Sequence, residues 1–143
     1  MKKSFFLLPL LLAAALLLSA CGASVPDATQ SLTESMLSAL SDDDFAAAAE
    51  LLDSESGLGE NNIRSYIYAL EAETDCDFSN GARVVGYTAY EDYTDESAPD
   101  EQRELHRTVA DIKVGTMPFI LTLITVATDD GADVYNFAFE LKD

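Results

Sequence analysis

Three side chains in this sequence are of the types that proton-transfer chemistry uses: His106, Tyr66 and Tyr135. A general base must come within hydrogen-bond reach of the proton it removes, and a donor must face the negative charge that develops. His106 is the sole histidine. Strand alternation puts it in one row with Thr108, Ala110, Ile112 and Val114, at the end of an inward-facing line, and leaves Asp111 on the opposite face. Helical spacing puts Tyr66 beside Ile63, Ile67 and Leu70. Tyr135 heads an alternating row with Phe137, Phe139 and Leu141. Tyr66, His106, Tyr135 and Phe137 are therefore the candidate pocket residues. Tyrosines in such rows serve equally well as core residues whose hydroxyls reach water. One histidine, no paired carboxylates on the inferred inward face and an apolar last row favour a filled core or a binding hollow, and no catalytic residue is assigned.

Other chemistry finds less support. One histidine and one thiol beyond Cys21 cannot make a three- or four-ligand zinc site. Cys76 lies between Asp75 and Asp77, and adjacent negative charge blunts a thiol; it reads as a buried or half-buried free thiol. The run 75–86 faintly echoes a calcium loop, but its glycine comes one place late and Gly86 stands where a bidentate Glu belongs. Asp95, Glu96, Asp100 and Glu101 read as a solvated acidic loop. Gly57-Leu58-Gly59 lacks the third glycine and the Gly-Lys-Ser/Thr of a phosphate loop, and reads as a helix stop followed by a cap. No Gly-x-Ser-x-Gly elbow is present. No cofactor and no metal are expected.

The most specific pattern is N-terminal. Lys2 and Lys3 precede an apolar run over residues 5–18, broken only by Pro9, with small residues Ser19 and Ala20 before Cys21. The run is too short for a comfortable membrane span, which takes about 20 residues, and matches the apolar region of a secretory signal. Leu18-Ser19-Ala20-Cys21 resembles the bacterial lipobox. The resemblance implies a diacylglyceryl group on the Cys21 sulfur, removal of residues 1–20, and a short tether over residues 21–26 ahead of one domain at 27–143. Two acyl chains suffice for stable anchoring. The expected location is the outside of the cytoplasmic membrane, lipid-anchored, or an outer membrane where one exists; Gly22 replaces the Asp that commonly marks inner-membrane retention in double-membraned bacteria.

The chain has eight basic and 26 acidic residues. Two of the basic residues, Lys2 and Lys3, precede Cys21, so six against 26 remain, a net of −20. Such a surface repels phosphate backbones, which excludes nucleic acid as a partner, and it repels anionic lipid head groups, which excludes peripheral membrane binding by charge alone. It attracts cationic partners and keeps the protein soluble.

The remaining residues, a little over a hundred, are enough for one core. They read as helices and then strands, an α+β order. Helices are expected at about 28–40, capped by Asp27 with Gln30 as capping-box partner; after the acidic turn Ser41-Asp42-Asp43-Asp44, with Phe45, Ala48, Ala49 and Leu52 inward; and at about 62–72. Strands are expected at 82–93, 104–114, 117–128 and 132–141, the last two joined by a hairpin at Asp129-Asp130-Gly131. The fold class is thus α+β, about three N-terminal helices packed on a curved, cone-like antiparallel sheet of about four strands. This order, with the segment 38–52, resembles the nuclear-transport-factor-two-like superfamily (cystatin-like or SnoaL-like in parts), although the Trp that many relatives carry in the last strands is missing. The expected function is a membrane-anchored, non-catalytic binding or interaction module for an envelope protein, a cationic peptide or a small molecule. The alternative is a small isomerase-like or hydrolase-like enzyme using the cone pocket.

Overall fold

The computed structural model describes residues 22–97 and 103–143. The expected signal segment, Cys21, Asp100 and Glu101 lie outside the described residues. Three helices are followed by an antiparallel meander, in the order α1 (Asp27–Ser41), α2 (Phe45–Glu50), α3 (Glu60–Thr74), a 3₁₀ turn (Phe78–Asn80), β1 (Ala82–Tyr93), β2 (Leu105–Val114), β3 (Met117–Thr128) and β4 (Gly131–Leu141). The sheet is open, with β1 and β4 as its edges, and the helices pack on one face of it. No helix among the described residues is long and apolar enough to cross a membrane.

α1 buries Leu32, Met36, Leu37 and Leu40, the 3.6-residue stripe read from the sequence. These meet Ile63 and Ile67 of α3, Phe78, and the inward rows Ala110, Ile112, Val114 and Phe119, Leu121, Leu123. Phe78 and Phe119 are fully enclosed, so truncating either to Ala would cost about 3–5 kcal/mol. Between these elements the helix face of the sheet is therefore filled with apolar side chains, up to the end of β2 that carries Thr108 and His106.

The helix starts differ in part from expectation. α2 is capped as the acidic turn suggests, the Asp44 carboxylate accepting from Ala47 N–H at 3.0 Å. At α1 the Asp27–Gln30 capping box does not form. Pro26 holds the N-cap position, and the Gln30 amide reaches back to donate to the Val25 carbonyl at 2.8 Å. The chain before α1 is consequently fastened, not loose. Val25 is buried, and Ala23 N–H donates to the Tyr87 carbonyl on the β1 edge at 3.0 Å. Gly22 has φ +101°, and a Cβ there would fall 2.3 Å from the same carbonyl oxygen. Only glycine lets the chain pass this close.

Irregularities re-aim the strands. β1 carries extra residues at Val85 and Thr88, and β4 carries one at Tyr135; such bulges bend a strand and shift its parity. Three residues of the β4 edge find partners outside the sheet ladder. Val134 exchanges hydrogen bonds with Leu51 and Asp53, both at 2.8 Å. Phe137 N–H donates to the Asn136 side chain at 2.8 Å, and Phe139 N–H donates to the Tyr66 hydroxyl at 2.9 Å.

Candidate functional site

The four candidate pocket residues fall into three places. Tyr66 and Phe137 meet edge-to-face, ring centroids 5.7 Å apart, beside a small cavity of about 110 Å³ that Leu58, Asn62, Ile63 and Asn136 complete. At roughly 30 Å³ per water molecule this space holds only a few waters. The Tyr66 hydroxyl is spent on Phe139, and the Asn62 side chain accepts from Gly59 N–H at 2.9 Å, as a helix cap.

Tyr135 is elsewhere. Its place in the bulge turns it away from the Phe137 row, onto the other side of the sheet. There it packs on Leu105, Ile124 and Val126 and donates to the Asp95 carboxylate at 2.9 Å. The expected single face of Tyr135, Phe137, Phe139 and Leu141 is thus broken at its first member, and its last, Leu141, is exposed.

His106 does face the helix side, but at another end of the sheet. It aligns with Asp92 and Thr125, whereas Tyr66 bonds Phe139, which aligns with Leu121 and so with Ala110. That is four residues along β2, about 13 Å, and two further strands across. The ring stacks on Tyr90 with centroids 5.1 Å apart. Its Nε2 lies 3.1 Å from Glu104 and its Nδ1 3.3 Å from Asp92. The two carboxylates are largely exposed, Asp92 on the neighbouring strand β1 and Glu104 just before β2.

Around His106 the interior turns polar. Thr29 and Thr33, one turn apart on α1, face the hydroxyls of Tyr90 and Tyr87. Thr108 and Thr125 are buried on the same side. Burial pushes both tyrosine hydroxyls above their ordinary pKa. The Tyr87 hydroxyl, Thr108 Oγ1 and His106 Nδ1 are enclosed without a well-aligned hydrogen-bond partner among the described residues. The row His106–Thr108 was legible; its tyrosine and threonine partners were not.

The second polar feature joins distant loops. Arg103 grips Asp53 with both guanidinium nitrogens, at 2.6 and 2.8 Å, and Glu55 stands 3.1 Å away. Arg103 holds the Asp53 carboxyl below its ordinary range. Cys76 is buried and free, with its thiol pushed up chiefly by burial. Asp77 caps the 3₁₀ turn through Ser79 N–H at 2.9 Å, and Asp95 accepts from Ser97 as well as Tyr135. No group of three or more metal-binding side chains occurs among the described residues.

Two wider, open hollows flank α1, one of about 460 Å³ beside Glu34, Ser38, Asp42 and Asp44 and one of about 370 Å³ between Glu34, Ser38, Ser41 and the start of β1; His106, Tyr66 and Tyr135 line neither. No protein family, curated protein or solved structure matches this chain.

Proposed function

We propose that this chain is an extracytoplasmic lipoprotein, anchored through acyl chains on Cys21, whose domain is a non-catalytic interaction module. The filled helix face of the sheet is the observation that carries the second half of this reading: His106, Tyr66 and Tyr135 stand apart, and the space beside Tyr66 is too small for a substrate. Lys2-Lys3, the apolar run and Leu18 to Cys21 support the first half. The order of three helices and a four-stranded meander supports kinship with nuclear-transport-factor-two-like domains as part of the same proposal. The partner is a cationic segment of another envelope protein, drawn by the excess of carboxylates.

The anchor is tested by metabolic labelling with a fatty-acid analogue, which should mark the wild type and not Cys21→Ser; equal labelling of both would sink it. The module is tested by crosslinking the anchored protein in its own cells. A specific protein partner whose recovery falls as salt rises supports the reading, and turnover of a small molecule by the purified protein overturns it.

A further inference from the structure

The basic residues are not spread evenly. Of the six after Cys21, Arg64 is paired with Glu60 and Arg103 with Asp53 and Glu55. The other four, Arg83, Arg107, Lys113 and Lys142, all belong to the face of the sheet that no helix covers. Register places Arg83, Arg107 and Lys113 opposite the inward residues of β1 and β2, and Lys142 reaches Asp111 on that face at 3.1 Å. Five carboxylates share the face: Glu91, Asp111, Asp133 and Glu140 by register, and Asp95, which accepts from Tyr135 there. In a chain whose net charge after Cys21 is −20, this one face is close to neutral.

Its pairing is also incomplete. Glu91 lies 3.4 Å from Arg107, and Lys142 takes Asp111. Arg83 and Lys113 are direct cross-strand partners, a like-charge pair that destabilises a sheet. Neither has a carboxylate partner among the described residues; Arg83 donates only to the Gly115 carbonyl, at 3.2 Å. Two adjacent cations left open in a protein with so many acids suit an external anion.

The chain's exit point selects which anion. The apolar residues 5–18 and Cys21 connect to the domain through Gly22, and Ala23 is bonded to Tyr87, four residues along β1 from Arg83. Whatever holds the chain in a bilayer therefore reaches the domain at the β1 edge, beside this face, with almost no slack. At its other end this face is closed over Leu105, Ile124 and Val126, where Asp95 meets Tyr135; we propose that its open end lies against the bilayer, with Arg83 and Lys113 on lipid phosphates, and that the acidic helical side faces outward. This rests on the membrane-anchored reading above. An acidic domain held within a Debye length of an anionic surface turns its least negative face inward.

The chain contains no Trp, so a single introduced Trp reports position. The full-length protein is purified from its own membranes as Val85→Trp, on β1 where Val85 is exposed, or as Tyr68→Trp, exposed on α3 beyond the opposite edge. Each is placed in phosphatidylglycerol-containing vesicles carrying a nitroxide on the lipid headgroup. Quenching at Val85→Trp should exceed that at Tyr68→Trp by about twofold or more, and adding Arg83→Glu with Lys113→Glu should abolish the difference. Unfolding by urea shows whether the charge variants remain folded; if they do not, the contrast between the two Trp positions in the parent decides alone. Equal quenching of a membrane-bound protein overturns the orientation while leaving the anchor intact. Recovery in the aqueous fraction without acyl chains overturns the anchor and the orientation together.

Discussion

Arg103 and Asp53, fifty positions apart, form a two-pronged ion pair with Nη–Oδ distances of 2.6 and 2.8 Å, and the Asp53 side chain is only 8% exposed. The pair clamps the β1–β2 loop to the connection between α2 and α3. Removing one partner of such a pair strands the other. Asp53→Asn should therefore lower unfolding stability at neutral pH by about 2–3 kcal/mol, less than for a fully buried pair because Arg103 is partly hydrated. The folded-state pKa of Asp53 lies below its ordinary 3.8. Its contribution is thus complete above the unfolded value and is lost as pH falls through the folded one. Denaturant melts of wild type and Asp53→Asn should differ at pH 7, and the difference should shrink as pH falls below the ordinary carboxylate range; a difference that stays constant in acid would refute the assignment.

Tyr66→Phe removes the acceptor for Phe139 N–H on the β4 edge and keeps the ring contacts with Phe137 and Phe139. A loss of about 1 kcal/mol is expected, with faster hydrogen exchange at the Phe139 amide. An unchanged exchange rate would mean that water replaces the hydroxyl at no cost.

The surplus of 20 negative charges should repel itself in the folded domain. Raising salt from low to about 0.15 M should stabilise the protein by about 1 kcal/mol, or roughly 4 °C in Tm. A Tm that falls over that range contradicts this.

Gly22→Ala places a Cβ against the Tyr87 carbonyl and breaks the Ala23–Tyr87 hydrogen bond. Global stability should barely change, since the core starts further along. Exchange of the Ala23 amide should quicken by about tenfold. Full retention of its protection would show that the chain finds another path along β1.

Alternation and helical spacing made most of the fold legible. β1 and β3 run over the expected 82–93 and 117–128, and the α1 stripe buries the expected leucines. What escaped was non-local or irregular. A strict two-residue period puts Val84, Gly86, Thr88 and Tyr90 on one face of β1. The two bulges bring Val84, Tyr87 and Tyr90 inward instead, and so assemble the polar patch around His106. Tyr135 left its row for the same reason; one extra residue has no local signature. Arg103 and Asp53 have nothing in their neighbourhoods to announce each other. At α1 a capping-box pattern was present, but Pro26, which has no N–H to donate, takes the N-cap position, and the Gln30 amide donates to the Val25 carbonyl instead.

For a protein anchored as proposed above, the partly occupied outer rim of β4 has a consequence. Molecules confined to a plane meet far more often than in solution, and a bare strand edge invites another chain to extend the sheet. Val134, Phe137 and Phe139 have already given their outward backbone groups to Leu51, Asp53, Asn136 and Tyr66. Along that side the template is interrupted at these three residues. Growth into fibrils from β4 would therefore first require the Tyr66 and Leu51–Asp53 contacts to open.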